Sequence, residues 1–135
     1  METEFNFNSS PCTSKVQSER LLALGLKVET ADMRYYGLYL SSVDKWYNKE
    51  YPEVLYDGEQ IHGKDIPAWS LHRLLYMLLD NAPRMFWRLD GANISIEWDD
   101  DGTDFFPYKG NMYDGLIDCI EWLIKEGYFN KEYLD

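Results

Sequence analysis

The chain has 135 residues, a formal net charge of −11, 45% hydrophobic and 27% charged residues, the size and balance of one domain that buries a core without cross-links. Its 24 carboxylates outweigh 13 basic residues that form no cluster along the sequence, which argues against direct nucleic-acid binding. No stretch approaches the roughly 18 apolar residues of a membrane span, and METEFNFNSSPC has no apolar run of signal-peptide length, so no membrane association and a cytoplasmic location are expected.

Residues 1–12 read as a flexible tail ahead of a single domain over 13–135. Cys12 and Cys119, the only thiols, stand in no ligand-like spacing and are expected to be free, with Cys119 packed as a small hydrophobe. In SKVQSERLLALGL, Ser14 and Gln17 have capping-box spacing and Gly25 stands where a helix would stop. The pattern predicts a helix over about 15–24, with Val16, Leu21, Leu22 and Leu24 on its apolar side. RYYGLYL, KWYN and EVLYDGEQI follow, short aromatic and β-branched pieces that read as strands, with Asp57-Gly58 as a type I′ hairpin turn.

DIPAWSLHRLLYMLLDNAP contains the clearest helix. Ser70 caps it, Leu71, Leu74, Leu75, Leu78 and Leu79 form a stripe at helical spacing, and Pro83 forbids continuation. From Met85 to Tyr108, two-residue turns at Asp90-Gly91 and Asp101-Gly102 would make a three-stranded meander. In it Leu89 faces Ala92, Trp87 faces Ile94, Met85 faces Ile96 and Trp98 faces Phe105, all on one face. NMYDGLIDCIEWLIKEGYF is a second amphipathic helix. Leu116, Ile117, Ile120, Leu123 and Ile124 lie on one side, and Asp118, Glu121 and Lys125 lie opposite. Trp122 is on the polar side, and Gly127 ends the helix. The fold class expected is α+β: one antiparallel sheet of about five to six strands with two or three helices packed on one face.

The acidic stretch EWDDDGTD invites a metal reading. With Gly102 at the sixth position of a calcium loop, Glu97, Asp99 and Asp101 fall at the first, third and fifth, but Tyr108 falls where a bidentate Glu is required. Solvated hairpin-tip residues are the better reading of Asp99, Asp100, Asp101 and Asp104. His62 has Asp57, Glu59 and Asp65 nearby, and His72 flanks the leucine stripe, yet neither sits in a metal-ligand spacing. No nucleophile elbow, phosphate loop or dinucleotide fingerprint occurs, so no catalytic residue, metal or cofactor is assigned and an enzyme is the less favoured class.

The blocks SKVQSERLLALGL, TADM, DIPAWSLHRLLYMLL and DGLIDCIEWLIKEGYF resemble a family of small uncharacterised bacterial proteins often carried on prophages and other mobile elements. The resemblance implies no activity and no site residue. It does imply a protein that acts by binding another. A noncatalytic interaction domain, able to form a homodimer, is therefore expected, with Tyr35, Tyr36, Tyr39, Trp46, Tyr47, Asp99, Asp100, Asp101, Asp104 and Trp122 as its candidate surface. Two alternatives stay open. One is an acidic decoy that uses Asp99, Asp100, Asp101, Asp104, Asp118 and Glu121 in place of nucleic-acid phosphates. The other is a metal-assisted hydrolase built on His62 and its neighbouring carboxylates.

Overall fold

The structure, a computed structural model, describes residues 10–80, 85–89, 93–98, 103–107 and 111–135; between 81 and 110 only the backbone of the strands is described. Helix α1 (Lys15–Ala23) begins at the anticipated capping box, in which Gln17 N–H donates to Ser14 Oγ at 3.1 Å and Ser14 N–H to Gln17 Oε1 at 2.9 Å. A nine-residue helix is marginal alone, so burial must hold it. Leu21 is fully buried, whereas Val16 is 76% exposed, against expectation. The helix packs on β5 and α3, defined below, through the side bearing Ser18 and Leu21, which turns Val16 to solvent.

Strands β1 (Met33–Tyr35), β4 (Glu53–Val54) and β5 (Ile66–Ala68) form one antiparallel sheet in the order β4-β1-β5. Strands β2 (Gly37–Leu40) and β3 (Lys45–Asn48) form a separate two-stranded sheet. A third antiparallel sheet holds β6 (Met85–Leu89), β7 (Asn93–Trp98) and β8 (Thr103–Pro107), in that order. The α+β class and antiparallel pairing thus stand, but the expected single sheet of five to six strands is replaced by small separate ones. Strands of two to four residues, interrupted at Tyr36 and bounded by Pro52, are too short to carry one continuous ladder through the domain.

The Asp57-Gly58 turn also differs. Glu59 N–H closes it on the Tyr56 carbonyl at 2.9 Å, but positive φ is confined to Gly58 (86°), the pattern of a type II turn, and no hairpin is made. The meander forms with longer loops than expected. Leu89 pairs with Ile94, Trp87 with Ile96 and Met85 with Trp98, a slip of two that leaves the facing sets unchanged. Between β7 and β8 the slip is odd: Ser95 pairs with Phe105, Ile96 with Asp104 and Glu97 with Thr103. An odd slip exchanges the faces, so Trp98 faces Met85 and Phe105 joins the opposite row. The Asp90-Gly91 and Asp101-Gly102 turns themselves lie outside the described residues.

Helix α2 (Leu71–Leu79) starts at Ser70, whose Oγ accepts from Arg73 N–H; Asp32 in turn accepts from Ser70 N–H (2.9 Å) and Oγ (2.5 Å). Its buried residues are Leu74, Met77 and Leu78; Leu79, one step round from Leu78, is 68% exposed, which corrects the stripe at its last member. Helix α3 (Met112–Glu126) is the spine of the core. It contacts α1 and α2 as well as β7 and β8, and it buries Tyr113, Gly115 and Cys119 beside the expected Leu116, Ile117, Ile120 and Leu123. Gly127, at φ 77°, closes it in the left-handed conformation that glycine adopts without strain. The last residues then fold back: Lys27 N–H donates to the Tyr133 carbonyl, Asp135 N–H to that of Gly25, and Phe129 is buried. At the other end, Cys12 is fully buried and bridges Ser70, so packing has begun before residue 13.

Candidate interaction surface

The candidate surface is built around Arg34, a buried cation in β1. Its guanidinium donates to Glu53 (2.9 Å), Glu59 (2.9 Å) and Asp65 (3.4 Å), and to the Gln60 carbonyl (3.3 Å). A charge taken out of water must be paired and hydrogen-bonded to persist, and three carboxylates do that here. Asp65, whose side chain is 1% exposed, also accepts from the amides of Gly37 (2.8 Å) and His62 (2.9 Å). One buried ion network thereby ties the loop over 53–65 to the start of the hairpin.

Among the described residues, the hairpin's hydrogen bonds to the rest of the domain lie at its base. Asn48 Nδ2 donates to the carbonyls of Tyr35 (3.1 Å) and Lys64 (2.8 Å), and Lys49 N–H donates to that of Tyr36 (2.9 Å). Gly37 is required by close approach: a Cβ there would lie 2.4 Å from the Lys64 carbonyl oxygen. Beyond the base, β2 and β3 pair from Gly37↔Asn48 to Leu40↔Lys45 around a four-residue loop, 41–44. Asp44 takes positive φ (51°) in that loop and accepts from the Tyr39 hydroxyl, a bond that holds the phenol above its ordinary pKa.

Alternation along these strands puts Tyr39 and Trp46 on one face and Leu38, Leu40 and Tyr47 on the other. Tyr39 and Trp46 are cross-strand partners with ring centroids 5.4 Å apart. All five side chains are exposed, from 38% at Leu38 to 51% at Trp46, so among the described residues neither face is covered. An isolated two-stranded hairpin is marginally stable in water. One carrying apolar groups on both faces and, among the described residues, no third strand on either edge is a surface short of a partner.

Lysines reach these rings from separate parts of the chain. Lys64 Nζ lies 5.7 Å from the Trp46 ring centre, Lys49 Nζ 5.4 Å from Tyr36, and Lys15 Nζ 5.5 Å from Tyr35. Tyr36, Gly37, Trp46, His62, Gly63 and Lys64 line an open concavity of about 390 Å³ at the hairpin base. A second, of about 320 Å³, lies between Val28, Ala31, Leu55 and Ile61 with Glu29 and Glu59 at its rim.

The candidate residues from the sequence are therefore only partly brought together. Tyr39, Trp46 and Tyr47 share the hairpin, and half-buried Tyr36 lies at its base with Arg34 5.1 Å from its ring centre. Tyr35 does not belong to the surface: it is buried, donates its hydroxyl to the Thr13 carbonyl at 2.8 Å, and burial raises its pKa. Its place in the central strand β1, next to Cys12, accounts for the difference. Trp122 is half-buried, stacks on Tyr128 at 6.0 Å and packs against the main core, whereas the hairpin residues do not. Asp99, Asp100 and Asp101 lie outside the described residues; Asp104 is placed by register alone, opposite Ile96. Asp118 and Glu121, the helical part of the acidic candidate surface, both accept from Arg20 (2.6 and 2.8 Å), and Arg20 holds Glu121 below the usual glutamate range.

Sequence reasoning missed Arg34, Lys49 and Lys64. A lone arginine in an aromatic strand, followed by an acidic stretch, was a signal for the first, and the interleaving in KWYNK for the second; Lys64 needed the fold. Among the described residues no group of three His, Cys, Asp or Glu side chains could hold a metal, and Glu59 and Asp65, two of the carboxylates near His62, are engaged by Arg34. No described helix is long and apolar enough to cross a membrane. No family model matches the chain, and no curated protein or solved structure matches it significantly.

Proposed function

We propose that this chain is a noncatalytic protein-interaction domain, cytoplasmic in setting, that docks a partner protein on the β2–β3 hairpin. The carrying observation is the pair of uncovered apolar faces, Tyr39 with Trp46 and Leu38 with Leu40 and Tyr47, on a two-stranded sheet anchored at its base. Aromatic residues presented on a fixed backbone are effective anchors because they bury large area for little lost rotamer freedom. A second copy of the chain is one partner such a surface admits. The resemblance to small prophage-borne proteins supports the reading.

The decoy reading draws less support. It relies on solvent-facing carboxylates, and Arg20 neutralises those of α3 in part. A hydrolase at His62 would need Glu59 and Asp65 released from Arg34, which would strand a buried cation.

The test is affinity capture from the native cell with the wild-type chain and with Tyr39→Ser/Trp46→Ser, at low and high salt, with sedimentation to read self-association. Capture at both salts by the wild type, lost in a folded double variant, is expected. Equal capture by both proteins would reject the hairpin as the docking surface, and capture abolished by salt but not by the double variant would favour the decoy.

A further inference from the structure

The hairpin's two faces differ from the rest of the molecule in charge as well as polarity. On a chain of net charge −11, Lys64 lies over the Trp46 face, while Lys45 belongs to the row of Leu38, Leu40 and Tyr47, and Lys49, just past β3 with its N–H bonded to the Tyr36 carbonyl, follows at alternating spacing. Lys49 lies over Tyr36 at the foot of that same row. Asp44, occupied by the Tyr39 hydroxyl, and Glu50 are the carboxylates of the hairpin segment. None of these three lysines forms an ion pair among the described residues.

We propose, building on the interaction reading above, that the outer edge of β3, open among the described residues except where Lys15 Nζ reaches the Asn48 carbonyl at 3.4 Å, takes an extended acidic peptide segment of the partner as a third strand. A strand added at an edge sends successive side chains to opposite faces, which matches a hairpin that is apolar and lysine-flanked on both. Backbone pairing supplies affinity. Carboxylates beside the apolar contacts meet Lys64 on one face and Lys45 or Lys49 on the other. The concavity of Tyr36, Gly37, Trp46, His62, Gly63 and Lys64 receives one side chain next to the strand's end.

Two other occupants fit less well. A second copy pairing β3 to β3 antiparallel about Tyr47 would set Lys45 of each chain opposite Lys49, the residue just past β3, of the other, and like charges directly opposite destabilise a strand pair. Single-stranded RNA could stack on the rings, but it offers no backbone amide or carbonyl ladder to a strand edge.

The experiment uses the full chain and three labelled probes of about ten units: a Val-Glu peptide of repeating Val-Val-Glu-Glu, which puts both residues on each face of a strand, a Val-Lys peptide of the same pattern, and oligo-uridine. Anisotropy should show the Val-Glu peptide binding at least about tenfold tighter than the other two, and Lys45→Glu/Lys64→Glu should remove about tenfold or more of that affinity. Hydrogen exchange should slow at the outward-pointing amides of Trp46 and Asn48 when the Val-Glu peptide is added. Equal binding of both peptides, tighter binding of oligo-uridine, insensitivity to the charge reversal, or unchanged exchange in β3 would each overturn the proposal. If capture of the native partner still depends on Tyr39 and Trp46 in that event, the interaction reading survives and only the acidic-strand assignment falls.

Discussion

Replacing Gly37 by alanine tests how the hairpin is held. The added Cβ would stand 2.4 Å from the Lys64 carbonyl oxygen and 2.7 Å from its carbon, both backbone atoms that no side-chain rotation can move aside. Either Gly37 or the 62–65 loop must shift, and the bonds at risk are those of Gly37 N–H to Asp65 and of Asn48 Nδ2 to Lys64. Overpacking costs about 1 to 3 kcal/mol, and a weakened bond to a charged group adds about 1 more, so a loss of about 3 kcal/mol is expected. With a urea slope of about 2 kcal/mol/M the midpoint should fall by about 1.5 M. Gly63 is the control: it lies in the same loop, a Cβ there meets nothing within 4 Å, and Gly63→Ala should change stability by less than about 0.5 kcal/mol. Equal midpoints for Gly37→Ala and wild type would refute the close-approach argument.

Arg34→Met should destabilise by about 3 kcal/mol in the same urea assay, chiefly by leaving Asp65 buried without its cation, since Glu53 and Glu59 are 40% and 34% exposed and lose little. Adding Asp65→Asn should restore part of that loss. Ser14→Ala removes the capping box and should cost about 1 kcal/mol, or about 3 to 5 °C in Tm by calorimetry. Cys12 and Cys119 are buried and burial raises both thiol pKa values, so a thiol reagent should label neither in the native protein and both in denaturant. Arg20→Gln should cost about 0.5 kcal/mol at neutral pH, discounted because Arg20 is 38% exposed. Because Arg20 depresses Glu121, the part of that difference due to Glu121 is full above the ordinary glutamate pKa and should be lost as pH falls on through the lowered pKa of Glu121 in a urea series.

Much of the fold is legible locally. The capping box at Ser14, the cap at Ser70 and the glycine after Glu126 name helix ends because they satisfy backbone groups within a few residues. Helix faces are read less surely: Val16 and Leu79 keep the spacing of a buried stripe yet face water, since which part of an apolar arc is covered depends on neighbours from elsewhere in the chain. Loop length decided the meander register, and it is fixed by pairing rather than by a single Asp-Gly step. The Arg34 network spans residues 34 to 65 and the lysines gather from positions 15, 45, 49 and 64, so the charge contrast at the hairpin exists only after folding. The sequence places Tyr35, Tyr39, Trp46 and Tyr47 in one candidate surface; the structure puts Tyr35 inside and leaves Tyr39, Trp46 and Tyr47 outside because β1 is central in its sheet and, among the described residues, the hairpin has no third strand.

The most direct measurement is hydrogen exchange across Leu38–Asn48 with and without the captured partner. Fast exchange in the free protein and slowing concentrated in this hairpin on binding are expected. Slowing confined to α3, the acidic stretch after Trp98 or any other region, with the hairpin unchanged, would contradict it.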